Sequence, residues 1–275
     1  MKFIAYGCSY TRGDELADDW LTGESFAKVN KSKRKSKGTY EWFQKATAAK
    51  TESFGYGNWH IEYEKLMKDR SYANSIAKEL KAAAILSNKP DNYVNRGISG
   101  NSNKAIFLDI LKDIQSGFIT RKDIIFVGLT STDRYSWFRH GHLANGMATG
   151  GEWPNTKVRD AILSSWSDDD FCYDTVVAFR AMQGLLRKHK FFYQTLHYPF
   201  TEMFEKPKIA QPVWQELEKI DAGAAAPHYS FHNEISKGVW EDPQHGFYHP
   251  RQEIADVVGR AIGKGIVAQL GGTNG

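Results

Sequence analysis

The stretch "KFIAYGCSYTRGDE", residues 2 to 15, decides how the rest of the chain is read. Its first six residues, Lys2 to Gly7, are a continuous apolar run without alternation, as expected of a central parallel strand covered on both faces. The run passes directly into Cys8 and Ser9, with Gly13 four residues beyond the serine. Such an exit is either an ordinary turn or a strand end that presents Ser9 as a nucleophile. The choice rests on partners elsewhere in the chain.

Working outward, "SYANSIAKELKAAAIL" from Ser71 places Ile76, Leu80 and Ala84 on one helical face. "NKPDN" breaks it, and "YVNRG" reads as a second short strand. A glycine and asparagine turn over Ser99 to Asn103 leads into Ile106, Phe107, Ile110, Leu111 and Ile114 at helical spacing. "DIIFVGL" is a third strand and "FFYQTLH" a fourth, separated by an amphipathic helix over Asp168 to Lys188 that carries Val176, Phe179, Met182, Leu185 and Leu186. In the closing helix, Pro250 suits the first turn, and Ile254, Val257, Val258 and Ile262 form the buried face. Strands alternating with helices predict an α/β fold with a parallel sheet between helical layers. No repeat or linker divides the chain. The expected organisation is one domain over residues 1–275, with long insertions near 14–70, 135–168 and 198–245.

The 275 residues suffice for a sizeable core, and the net charge of +4 is too small to read as nucleic-acid binding. Two distant cysteines, Cys8 and Cys172, argue against a disulfide scaffold and fit a reducing compartment. The amino terminus turns polar too quickly for a signal peptide, and no apolar run approaches a membrane span. A soluble, cytoplasmic protein is the expectation.

Sites in open α/β sheets form at the carboxyl ends of the strands. Here those exits read "GCSYTRG", "NRGISGNSN" and "GLTSTDR", and "HGFYHPRQE" opens the last helix. In this order they resemble the SGNH (GDSL-type) hydrolase family. The family's first block matches Gly7, Ser9 and Gly13, with Cys8 where an Asp is usual; its second matches Asn95 and "ISGN"; its last matches His249 beside Pro250. The resemblance implies a three-layer α/β/α, flavodoxin-like architecture. It also implies Ser9 as nucleophile, Gly100 as a backbone donor to the oxyanion, and His249 as general base, with no metal or organic cofactor. The likeness is greatest to divergent members carried by bacterial viruses, for which the host cytoplasm is the implied location.

Two positions depart from the family pattern. Thr132 stands where an oxyanion-binding Asn is expected, in "TSTD", and Gly246 stands three residues before His249, where the triad Asp belongs. Asp242, or else Glu241, is near enough in sequence to replace that acid. Thr132, Asn101 or Asn103 is placed to supply the second oxyanion donor, although the two asparagines serve equally as turn and helix-cap residues. Asp133 and Arg134 read as an ion pair closing a loop, and both cysteines as packed core. The implied work is hydrolysis of carboxylic esters, above all O-acetyl groups on a polar or carbohydrate acceptor. An O-acyltransferase or a non-catalytic binding protein on the same fold are the alternatives.

The remaining features carry less. His228 with His232 and His245 with His249 are spaced by four, but their aromatic, loop-like surroundings do not read as a metal site. The basic run "KVNKSKRKSKG", Lys28 to Gly38, reads as a solvated loop, with a polyanion contact as its functional counterpart. The tryptophans at positions 20, 42, 59, 137, 153 and 166 suit either a carbohydrate cleft or the packing of the insertions.

Overall fold

The computed structural model describes residues 1–13, 16, 63–98, 100–139, 142–147, 156–237 and 250–271. In chain order the elements are β1 (Phe3–Tyr6), α1 (Ser9–Arg12), α2 (Tyr72–Ala82), β2 (Tyr93–Asn95), α3 (Asn103–Gln115), β3 (Ile124–Leu129), β4 (Arg134–Arg139) and β5 (His142–Met147). There follow α4 (Thr156–Ser165), α5 (Asp168–Leu186), β6 (Lys190–Thr195), α6 (Phe200–Met203), α7 (Gln211–Ala222), α8 (Phe231–Ile235) and α9 (Gln252–Gly271).

Every residue of β1 and of β3 is buried, which explains why both strands are apolar without alternation. They lie side by side in a parallel sheet of order β2-β1-β3-β6, with Ala5 paired to Asn95 on one side and Phe126 on the other. Successive side chains of β1 point to opposite faces and enter different cores. Phe3 and Ala5 join Phe126, Ile76 and Leu80 of α2, and Ile254, Val258 and Ile262 of α9. Ile4 and Tyr6 join Ile125, Val127, Ile106 and Ile110 of α3, Phe179 and Met182 of α5, and Leu217 of α7. Helices therefore cover both faces, giving the three-layer α/β/α arrangement. Each fully buried side chain of this size contributes about 1.5–3 kcal/mol.

The chain steps from β1 outward to β2, then crosses back over β1 to β3. The direction of winding thus reverses between β1 and β3, and an open α/β sheet has its crevice at the carboxyl ends of such a strand pair.

Several details differ from expectation. α2 ends at Ala82, so Ala84 lies beyond it, exposed and in the left-handed region at φ 56°. α9 begins at Gln252, leaving Pro250 just outside. Ser102, and neither neighbouring asparagine, caps α3: its Oγ accepts the Ala105 N–H at 3.2 Å. The stretch expected as an insertion at 135–168 contains the antiparallel β4–β5 hairpin and α4, and that at 198–245 contains α6, α7 and α8. Of the insertion at 14–70, residue 16 and helical residues 63–70 are described; the basic run 28–38 lies outside the described residues.

Candidate active site

Ser9 opens the four-residue helix α1, after β1, Gly7 and the N-cap Cys8, and is 5% exposed. The turn is closed by Gly13, whose N–H donates to the Ser9 carbonyl at 2.9 Å from a left-handed backbone at φ 87°. A side chain there would be strained and would also meet the Met67 carbonyl at 2.4 Å, so both conformation and space require glycine.

Three further contacts hold α1 against its neighbours. Thr11 Oγ1 and Tyr72 Oη share a buried hydrogen bond at 2.8 Å. Asn95 Nδ2 donates to the Thr11 carbonyl at 2.6 Å, while Asn95 Oδ1 accepts the Gly97 N–H at 2.9 Å. Gly97 itself packs so close that a Cβ would lie 2.4 Å from the Arg12 nitrogen. The asparagine of "NRG" therefore ties the end of β2 to the turn that carries Ser9.

Across the switch point, the β3 exit is built around Asn103. Its Oδ1 accepts the Thr130 N–H at 3.0 Å, and its Nδ2 donates to the Thr130 carbonyl at 3.0 Å and to Thr175 Oγ1 at 3.4 Å. Both amide protons of Asn103 are thus engaged, one on the loop and one on α5. Thr132 follows, 2% exposed, with its Oγ1 buried and without a hydrogen-bond partner; Thr130 Oγ1 is in the same state. Asp133 accepts a hydrogen bond from Ser131 Oγ, whereas the Arg134 Nε is buried without a hydrogen-bond partner. The expected Asp133–Arg134 ion pair is not among the interactions of the described residues.

In chain order the turn after β2 comes between these two exits. Gly100 is left-handed at φ 80°, and the Asn101 N–H donates to the Ile98 carbonyl at 3.2 Å. Asn101, 3% exposed, donates from Nδ2 to Asp109 Oδ2 at 2.9 Å. Burial raises the Asp109 carboxyl above its ordinary range, against the lowering effect of the Asn101 hydrogen bond.

A cleft of about 380 Å³ opens beside Thr132, between the exits of β3 and β6. Its polar side includes Thr132, Asp133 and His197, and its apolar side Trp166, Phe171 and Phe204. His197 and Tyr198 follow β6, where the Leu196 N–H donates to the Leu129 carbonyl and keeps the two exits together. The Tyr10 ring packs edge-on against His197 with centroids 4.3 Å apart and Oη 3.5 Å from Nδ1. The Tyr198 ring stacks on His232 at 3.9 Å.

Of the residues singled out in the sequence, Ser9, Gly100 and Thr132 stand at the carboxyl ends of three neighbouring strands, β1, β2 and β3. Asn103 serves as the anchor of the β3 exit. His249, Asp242, Glu241, Gly246 and His245 lie outside the described residues. His197 went unnoticed, although a histidine directly after an apolar strand was the available signal. Among the described residues no cluster of His, Cys, Asp and Glu is arranged to hold a metal ion, and no helix is long and apolar enough to cross a membrane. Cys8 and Cys172 are both fully buried, and burial pushes the Cys172 thiol up to about 12.

The sequence matches no protein-family model and no curated protein. Among solved structures it is similar to LAE5, an alpha/beta hydrolase enzyme from the metagenome of Lake Arreo, Spain, at 12% identity over 96% of this chain and 94% of that one, with a TM-score of 0.47. It is also similar to a catalytic mutant of Axe2, an acetylxylan esterase from Geobacillus stearothermophilus, at 12% identity, 96% and 93% coverage, and a TM-score of 0.45. A member of the lipolytic protein G-D-S-L family from Veillonella parvula aligns at 13% identity over 95% of each chain, with a TM-score of 0.43.

Proposed function

We propose that the chain is a divergent serine esterase of the SGNH type, hydrolysing carboxylic esters through an acyl-serine intermediate. One observation carries this reading. Ser9 is fixed at the carboxyl end of a central strand, and across the switch point Thr132 keeps a buried hydroxyl without a partner. A buried unpaired hydroxyl is costly, and one beside a strand exit is available to a transition state that reaches it.

In the proposed reaction His249 accepts the Ser9 hydroxyl proton as Oγ bonds to the ester carbonyl carbon. The negative charge on the carbonyl oxygen is held by the backbone N–H groups of Ser9 and Gly100 and by the Thr132 hydroxyl. The C–O bond to the alcohol then breaks, and the leaving oxygen takes its proton from His249. Water, deprotonated by His249, attacks the acyl carbon; the bond to Ser9 Oγ breaks, Oγ takes that proton back from His249, and the acid is freed. Asp242 is the proposed acid behind His249; with Gly246 in the usual place, a Ser-His dyad is its alternative. An amide donor at the Thr132 position would stabilise the transition state by about 2.7–4 kcal/mol, and a hydroxyl supplies part of that.

A small or carbohydrate ester is the substrate class, with O-acetyl groups the first to test. Hydrolysis of 4-nitrophenyl acetate by the wild type, Ser9→Ala and His249→Ala, each checked for folding, decides the matter. Loss of the rate in both variants is expected. A rate unaffected by either leaves the non-catalytic binding protein. Transfer of the acetyl group to an added sugar in place of water would identify the acyltransferase.

A further inference from the structure

The amino ends of the strands, opposite the exits that carry Ser9, border a second cleft. It has a volume of about 690 Å³ and is lined by the C-terminal ends of α3 and α5 and by the loops that enter β3 and β6. We propose that this cleft binds a small organic phosphate, with the phosphate on Arg121, Arg187 and Lys188 and the apolar body of the molecule on Ile114 and Leu185. The site stands apart from the ester chemistry: β3 has six residues, which puts its two ends about 20 Å from one another.

Charge selects the ligand. Arg121, Arg187, Lys188 and His189 line the cleft, and among the described residues no aspartate or glutamate does. Elsewhere surface cations are paired: Lys104 with Asp174, Arg180 and Lys219 with Glu216, and Lys206 with Glu218. Arg121, Arg187 and Lys188 have no ion pair among the described residues. Lys122 and Lys190 are their chain neighbours and add to the same field. The acid nearest to Arg121 in sequence, Asp123, is already engaged, accepting from the Lys2 and Thr120 N–H groups and from Thr120 Oγ1. Cations do favour helix C-termini, but the two that end here supply about one negative charge between them, against three full positive ones. A phosphate monoester carries about −1.5 to −2 charges and three acceptor oxygens, so it answers this surplus where a single carboxylate answers only part. Arg121 and Arg187 bring two planar guanidinium groups, which match phosphate oxygens in pairs.

Shape favours an organic phosphate over the bare ion. Ile114 and Leu185 line the cleft as partly buried side chains on the edge of the core. Gly117 and Gly184 line it too, and a Cβ on either would meet nothing within 4 Å, so the space between the helix ends is open. The volume is that of a small-molecule pocket, and a phosphate ion fills only a fraction of it.

Calorimetric titration of the full chain with phenyl phosphate, inorganic phosphate and benzyl alcohol tests the proposal, at about 0.1 M salt so that charges beyond about 10 Å are screened. Phenyl phosphate is expected to bind at least about tenfold more tightly than inorganic phosphate, which leaves the apolar wall uncovered, and benzyl alcohol is expected not to bind. Arg121→Glu combined with Arg187→Glu changes two exposed side chains, so the melting temperature is expected to stay in place. Affinity for phenyl phosphate is expected to fall at least about tenfold in that variant. Arg121→Gln with Arg187→Gln gives the same reading should the charge reversal unfold the chain. Lys206→Glu with Lys208→Glu makes an equal charge change between α6 and α7 and is expected to leave the affinity unchanged. Gly184→Leu occupies the open space and is expected to remove the advantage of phenyl phosphate over the bare ion. Absence of phenyl phosphate binding at millimolar concentration overturns the proposal, as do equal affinities for the two phosphates. Binding that survives the arginine variants, or falls equally in the lysine variant, overturns it as well. None of these outcomes depends on what Ser9 does.

Discussion

The exits of β1 and β3 are neighbours in one sheet, yet they are built on opposite principles. The β1 exit is saturated: Gly13, Thr11, Asn95 and Tyr72 exchange hydrogen bonds around Ser9, and Gly97 presses against the backbone from the side. The β3 exit is held by Asn103 on Thr130, by the Leu196–Leu129 backbone bond and by Ser131 on Asp133, yet it leaves the hydroxyls of Thr130 and Thr132 buried without partners. Saturation gives position, which a nucleophile needs. Incompleteness gives unmet hydrogen-bonding capacity, which a transition state can use.

The contrast is broken most severely at the saturated side. Gly97→Ala puts a Cβ within 2.4 Å of the Arg12 nitrogen and 2.8 Å of the Thr11 carbonyl carbon, both backbone atoms that cannot swing away. A loss of about 3 kcal/mol, the upper end for overpacking, is expected in urea denaturation, together with loss of esterase activity as the Ser9 turn shifts. An unchanged midpoint would mean that the turn yields and that its fixed position is not the point.

Tyr72→Phe is the gentler version. It removes the hydroxyl that pairs with Thr11 Oγ1 and leaves that oxygen buried and unsatisfied, at an expected cost of about 1–2 kcal/mol. Since the ring and its contacts with Phe126 and Phe231 remain, the melting curve is expected to shift without losing cooperativity.

Much of this scaffold was legible in the sequence. The runs at β1 and β3 could be recognised because strands buried on both faces have no polar side to disguise them. The helices of the two outer layers showed their periodicity for the same reason: each packs one stripe on the sheet. Less legible was the hairpin β4–β5, whose "RYSWFR" mixes arginine with aromatic residues and pairs with no strand of the main sheet. Trp214, Leu217 and Ile220 of α7 do recur at helical spacing, but within a region that reads as loop. The site was legible as a set of strand exits. Its internal wiring was not, because Tyr10 and His197 are 187 positions apart and Asn95 and Thr11 are 84 apart. Nothing local in "YVNRG" says that the asparagine grips another strand's exit.

A smaller effect is expected at the turn after β2, and it depends on pH. Burial raises the Asp109 carboxyl in the folded protein, so the folded state binds its proton more tightly than the unfolded chain does. Its contribution is therefore fully present below the unfolded value, about 3.9, and is lost as the pH rises through the raised folded value. Asp109→Asn removes that dependence. The urea midpoint of the variant relative to that of the wild type is expected to rise from pH 3 to pH 7. A relative midpoint that falls instead would mean that the Asn101 bond holds the carboxylate more firmly than burial opposes it.

Thr132→Val reverses the sign and so tests the comparison most sharply. A valine keeps the branching while removing a hydroxyl that has no partner to lose, so stability is expected to stay constant or to rise by up to about 1 kcal/mol. The rate of ester hydrolysis is nevertheless expected to fall about 10²-fold, with kcat lowered and KM little changed, because the missing bond forms only as charge develops on the carbonyl oxygen. Thr132→Ser, which retains the hydroxyl, is expected to recover most of that rate. A valine variant that is less stable and equally fast would show that the hydroxyl belongs to the scaffold. The β3 exit would then be a second saturated loop, and the charge on the oxygen would be met by backbone groups alone.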